Sequence, residues 1–341
     1  MTVWVPPGAY LGQRDRRKAL IRGFADPFAF RYHPGVRRGI GCMDNADAAG
    51  GMAVLRTRRG RVGPTADVSG NRRHVWETTS NRTRSMIRDV SDAGRRWPLW
   101  VRLGWQDVLL RYRRSLLGPF WLTLSMGVMI ATLGSIYGNI LRLPMVEYLP
   151  FLATGLIVWG LISSLVSEGC QTFIESDWLI RQIDLPLAMF PLRVVWRNLI
   201  VFMHNVAIYL LLLVILPIHI RWNALSSILG LLVLLANGLW CGMLLGMISA
   251  RFRDLPQIVS SLMQIAFFAT PIIWSAEVLS GNTALVSGNP FFHLIEIVRA
   301  PLIGRPIAVR SWIAVAGISV VGWAVTLVVF RQFHRRISYW V

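Results

Sequence analysis

Glu175, Asp177 and Asp184 lie close together in the chain, and carboxylates grouped in a cleft at a membrane surface could do acid and base chemistry on a lipid-linked sugar. The same stretch also supports a second reading. It holds Leu179, Ile180, Arg181 and Ile183, followed by Pro186 and Pro191, which break it into a short helix and a rigid connection suited to docking a partner. His204 and His219 are the nearest candidates for a proton relay within apolar sequence, although a lone histidine there more often serves as hydrogen-bonded structure. No nucleotide-binding loop accompanies them. A P-loop needs Gly-Lys followed by Ser or Thr, and the one lysine, Lys18, stands between Arg17 and Ala19. The cysteines, Cys42, Cys170 and Cys241, are odd in number and lack CxxC spacing, so they predict neither a disulfide framework nor a zinc site.

The segments that must position these residues are built for lipid. From Leu116 to Leu141 the chain runs 26 residues without a charge, and about 20 apolar residues suffice to cross a ~30 Å hydrocarbon core as a helix. Arg111, Arg113 and Arg114 precede it, and flanking arginines are retained on the cytoplasmic side. Only 16% of the residues are charged, against about 25% for a soluble domain, which favours a membrane protein. The formal charge of +19 invites a nucleic-acid reading. Residues 1–96 hold 19 basic and 8 acidic groups, a net charge of +11, but no RRM or zinc finger accompanies them, so no nucleic-acid partner is expected.

Residues 1–95 show no sustained apolar period and read as a disordered basic extension, with Met43, Met52 and Met86 as alternative starts. After it, Trp97, Trp100, Val101, Trp105, Val108, Leu109 and Tyr112 recur at spacings of three and four, opposite Arg102 and Asp107. That pattern predicts an amphipathic helix lying in the membrane interface, with Pro98 in its first turn. Uncharged runs then follow at about 116–141, 148–167, 198–220, 223–250, 255–276 and 311–330. The fold expected is an all-α membrane protein with six transmembrane helices and that N-terminal interfacial helix, residues 96–341 forming the transmembrane domain.

Arginines near the run ends place both termini and the 171–197 segment in the cytoplasm: twelve flank the inner ends, Arg102 to Arg336, and five the outer ends, Arg142, Arg221, Arg299, Arg305 and Arg310. Between runs five and six, PFFHLIEIVRAPLIG is too short to cross and too apolar for a solvated loop, which predicts re-entrant or interfacial helices at the outer mouth of a path. Gly238, Gly242, Gly246 and Ala250 form a small-residue seam for close helix packing, with a shorter one at Gly134 and Gly138.

Taken in order, RYRRSLLGPFW, SDWLIRQIDLPLAMFPLR, ARFRDLPQI, FATPIIW and NPFFHLIEIVRAPLIG resemble the permease subunit of type 2 ABC exporters, in the branch for O-antigen, capsule, teichoic acid and other lipid-linked polymers. The resemblance covers about residues 95–341 and implies a homodimer around a continuous channel. It further implies a cytoplasmic ATPase that brings ATP and Mg, with no cofactor held by this chain. It assigns ATPase coupling to Leu179, Ile180, Arg181, Ile183, Asp184 and Pro186, with Arg251, Arg253 and Asp254 nearby. An outer gate would use Asn289, Pro290, Arg299 and Pro301, and a sliding sugar chain would meet Trp121, Tyr137, Trp159, Phe202, Tyr209, Phe267 and Phe268.

Rival classes are a polytopic transferase acting on lipid-linked sugars, a type 2 ABC permease for a small lipid or drug, and an ion-coupled transporter. The last would place Asp, Glu or Arg inside the six runs, which contain none.

Overall fold

In a computed structural model the described residues are 86–113, 118, 120–217, 222–274, 286–334 and 336–340. Every regular element among them is helical. Helices α1 (Met86–Arg95) and α2 (Trp97–Tyr112) lead into α3 (Phe120–Leu141) and α4 (Met145–Gln171). A short α5 (Asp177–Gln182) precedes α6 (Met189–Ile215), and a 3-10 turn at Trp222–Leu225 opens α7 (Ser226–Arg251). The chain closes with α8 (Leu255–Ala269), α9 (Pro290–Leu302), α10 (Val309–Phe333) and α11 (Ile337–Trp340).

Five of these, α3, α4, α6, the 222–251 unit and α10, are long and apolar enough to cross a membrane. The expected fifth run, 255–276, is different. Its helix α8 has 15 residues, about 22 Å at 1.5 Å per residue, and stops before Pro271, whose ring and missing N–H cannot continue it. Helices α4 and α6 extend beyond their uncharged runs. Helix α4 takes in Glu147 and Glu168, and α6 takes in Arg193 and Arg197, because several of those charges are paired inside the fold.

Helix α4 is the central post. Of its most apolar window 72% is buried, against 11% for α3, and it packs on α3, α6, α7, α8 and α9. The seam expected on α7 is real: Gly238, Gly242, Gly246 and Ala250 are all buried. Where α7 crosses α4, a Cβ on Gly169 would lie 2.9 Å from the Gly242 Cα, so the two backbones touch and any larger residue would part them.

Residues 1–85 lie outside the described residues, but the last ten positions of the stretch expected to be disordered form α1. Its Met86 and Ala93 are buried against Met189, Phe190 and Phe330. Asp89 is 2% exposed and accepts a 2.7 Å hydrogen bond from the backbone N–H of Ala188, the residue that caps α6. The orphan donor of one helix is thus met by a carboxylate from another. Asp89→Ala is expected to lower stability by about 0.5–2 kcal/mol, read as a fall in the unfolding midpoint of the purified protein. Asp89→Asn keeps an acceptor and should recover much of it; a midpoint unmoved by Asp89→Ala would show that the bond contributes nothing.

Helix α2 is also turned from its expected pose. Trp97, Trp105 and Leu109 are exposed, as an interfacial face requires, but Gly104 and Val108 are buried. Trp100 meets Trp196 edge to face at 6.3 Å and donates to the Ala93 carbonyl. Asp107, expected on the solvent side, is the residue that grips α6.

Candidate functional site

Loop 172–188 folds with one side buried. Phe173 and Leu179 enter the core with Met189, Phe190 and Met243, Ile180 is half-buried, and Pro186 is buried. Left outside are Trp178 at 61% exposure, Ile183 at 46%, Arg181, Gln182 and Asp184. Of the three apolar anchors expected, only Ile183 is free to insert into another protein, and Trp178, which charge patterning does not single out, is the larger one. Arg181 pairs with Asp177 one turn earlier, an exposed contact of small energetic weight. Glu175 and Asp184 are exposed, and Asp177, half-buried, is engaged by Arg181.

The expected neighbours of this loop are brought to it by the C-terminus. Helix α11 packs on both α5 and α7. The Arg251 guanidinium lies over the rings of Phe252 and Trp340 at 5.4 and 5.3 Å, and Arg253 donates to the Trp340 carbonyl. Asp254 precedes α8, and its carbonyl accepts from the N–H groups of Gln257 and Ile258. Helix α11 is thus the link between the two expected coupling segments, with Trp340 holding its Arg251 and Arg253 side, a role that sequence spacing cannot reveal.

Behind the loop, five charged side chains interlock. Arg193 donates from Nε to Asp107 at 2.6 Å and from Nη2 to its other oxygen, a bidentate pair. Arg197, 7% exposed, reaches Asp107 at 3.4 Å and Glu168 at 2.7 Å. Glu168 also accepts from Asn198 at 2.7 Å and from Arg111 at 3.0 Å. Helices α2, α4 and α6 are tied together by this network, which the sequence offered only as charges ending the apolar runs.

At the opposite end of α8 two of the four expected gate residues, Asn289 and Arg299, reach the backbone where that helix stops. The helix terminus leaves carbonyls without partners, and α9 supplies the donors. The Asn289 amide donates to the Ala269 carbonyl and the Thr270 hydroxyl, while its oxygen accepts from Phe291 N–H. Pro290 opens α9. Arg299, 3% exposed, donates to the Pro271 carbonyl at 2.9 Å, pairs with Glu296 at 2.8 Å and lies 4.2 Å from the Phe151 ring centre. Pro301 is buried inside α9. Broken backbone is tolerated at membrane depth when protein groups satisfy it, and these side chains do so.

The seven expected channel aromatics do not share a surface. Trp159, Phe202 and Tyr209 are buried. Trp159 packs on Phe267 and Phe291 at 5.8 and 5.5 Å, and the Tyr209 hydroxyl donates to the Leu302 carbonyl. Phe202 and Tyr209 line a pocket of about 190 Å³ whose other walls are mainly aliphatic, a place for hydrocarbon and not for sugar hydroxyls. Tyr137 and Phe267 are half-buried. Only Trp121 at 55% and Phe268 at 68% stand open.

Trp121 begins a pattern that aromatic counting misses. Trp121, Ser125, Val128, Thr132, Ser135 and Asn139, at alternating spacings of four and three, are all exposed on α3, and such spacing puts them on one face. That face runs about 27 Å at 1.5 Å per residue. Helix α8 repeats it more briefly with Gln257, Ser260, Ser261 and Gln264, exposed ahead of Phe268. Helix α10 is the opposite case: Ile313, Val320, Val321, Val325 and Val328 are exposed while Ser311 and Thr326 are buried. Helix α3 also exposes Phe120, Leu124, Ile136 and Ile140, so its polar residues form one stripe beside an apolar one, as expected if one side of α3 faces something polar and the rest, like α10, faces lipid.

A family model described as ABC-2 type transporter matches residues 98–303, from the first turn of α2 to the end of α9. An O-antigen export system permease protein RfbA of Myxococcus xanthus is 26% identical over 218 residues, covering 63% of this chain and 84% of that protein. An RfbA of the same description from Klebsiella pneumoniae is 23% identical over 195 residues, covering 56% of this chain and 74% of its own length.

Proposed function

Since the chain belongs to the ABC-2 type transporter family, whose membrane subunits are transport components served by a separate ATPase, we propose that it moves a lipid-linked polysaccharide or related cell-envelope polymer outward across the cytoplasmic membrane, driven by ATP hydrolysed in a partner subunit. Support for the substrate class comes from the relatives, which are named as O-antigen export permeases. The protein is a multi-pass inner-membrane protein.

The observation that carries the mechanism is the polar, exposed face of α3. In a single chain that face would meet lipid at a cost: Ser125, Ser135 and Asn139 each donate to a carbonyl of their own helix, but their further donor and acceptor capacity goes unmet in hydrocarbon. A second copy apposed to it would enclose a path lined by hydroxyls and amides, with α8 contributing its own short polar face. Hydroxyls suit a sliding sugar chain because each contact is weak and replaceable by water. In this arrangement both termini and loop 172–188 are cytoplasmic, α8 belongs to the fifth of six crossings in chain order, and α9 stands at the outer mouth. ATP and Mg enter through the ATPase, which docks on Trp178 and Ile183.

Purified permease and its ATPase, reconstituted with the host's lipid-linked surface polysaccharide, are expected to carry the polymer to the opposite side of the vesicle only when ATP is present, as read by lectin accessibility. ATP-independent transfer of sugar between lipids by the permease alone would overturn the reading in favour of a transferase.

A further inference from the structure

We propose that Asp107, Glu168 and Arg197 are positioning residues: they lock loop 172–188 to helix α2, so that a push on the loop is delivered to the start of α3. The inference rests on the export reading above, but its geometry stands apart from it. Glu168 lies on the last turn of α4, just before the loop, and Arg193 and Arg197 lie on the first turns of α6, just after it. The two stems of the loop are therefore bonded to each other through Arg197 and Glu168. Both are bonded to α2 as well, the α6 stem through Arg193 and Arg197 to Asp107 and the α4 stem through Glu168 to Arg111.

Three features make this a joint and not a surface decoration. Arg197 is 7% exposed and has a carboxylate on each side, so it cannot swing into water when one partner is lost. The Arg193 pair is bidentate, which fixes the angle of α2 as well as its distance. Beneath the charges α2 is seated closely, since a Cβ on Gly104 would fall 2.9 Å from the Trp196 ring and 3.1 Å from the Arg193 carbonyl. Eight residues after Tyr112 the chain becomes α3, the helix with the polar face. A rigid α2 therefore carries displacement of the loop to the mouth of the path. A severed one lets the loop move alone.

Two readouts test this in the permease–ATPase complex. Asp107→Asn preserves volume and removes the charge that two arginines share. ATP hydrolysis and ATPase co-purification should persist while polymer exported per ATP falls at least tenfold, and Asp107→Glu should restore most of the ratio. With Cys42, Cys170 and Cys241 replaced by Ala, spin labels at Arg102→Cys on α2 and Glu175→Cys in the loop report the joint directly. Their separation should stay constant between nucleotide-free and vanadate-trapped complexes, and should shift or broaden on trapping once Asp107→Asn is added. If Asp107→Asn does not fold, Arg193→Lys keeps the charge, loses the bidentate geometry and should give a partial version of both effects. An unchanged export ratio together with an unchanged label separation would overturn the proposal, as would a variant that lowers only the amount of folded protein. If wild-type complex moves no polymer the export reading fails, and the label separation still decides whether loop and α2 move as one body.

Discussion

Ile183→Asp and Trp178→Asp are expected to strip the ATPase from a permease that remains folded and inserted, abolishing export. Both side chains stand outside the core, at 46% and 61% exposure, so neither substitution removes packing that the permease needs. Each is a large apolar group on a loop whose opposite side is fixed by Phe173, Leu179 and Pro186. Buried apolar anchors carry most of the energy of an interface, often 2 kcal/mol or more apiece, and an Asp placed in the same desolvated slot loses that term and adds the cost of an unpaired charge. A combined loss of about 4 kcal/mol would weaken association roughly a thousandfold. Co-purification of the ATPase with the tagged permease, measured alongside surface polymer, checks the outcome. A normal yield of ATPase with both variants, and wild-type export, would rule out this loop as the docking element. Leu179 is the wrong place for such a test, because at 6% exposure it belongs to the fold.

The Leu179 result shows what could and could not be read from the chain. Helix existence was legible, because an uncharged run of membrane length has few other solutions. The ends were not. Glu168, Arg193 and Arg197 look like residues that stop a span, yet they sit inside helices because each neutralises another across helices that sequence order cannot place side by side. Pro271 was legible as a break. The donors that make the break tolerable, Asn289 and Arg299, were marked by the family resemblance as gate residues, but nothing in the sequence showed that they bond to that break. The aromatic residues failed as a guide to the path because type does not give facing. Trp159, Phe202 and Tyr209 are buried within one chain, while the exposed polar face of α3 is written in residues too ordinary to stand out singly.

That face carries the last and broadest expectation. Replacing Ser125, Thr132, Ser135 and Asn139 together by Leu should leave the helix intact, since Leu is a better helix former than any of them. Their own hydrogen bonds go back to carbonyls of the same helix: Ser125 to Trp121, Ser135 to Ala131 and Asn139 to Ser135, so no tertiary partner is orphaned. If this side of α3 faced lipid, the change would be neutral or stabilising. If it lines a polar path, four leucines in each copy would dry and narrow that path, and export should fall by an order of magnitude or more. ATP hydrolysis and ATPase association, assigned above to the far loop, should continue. The matched control is Val321→Ser with Val325→Ser on the exposed face of α10, which should leave export near the wild-type rate. Normal export from the four-leucine variant would remove α3 from the path and hand its polar face another role.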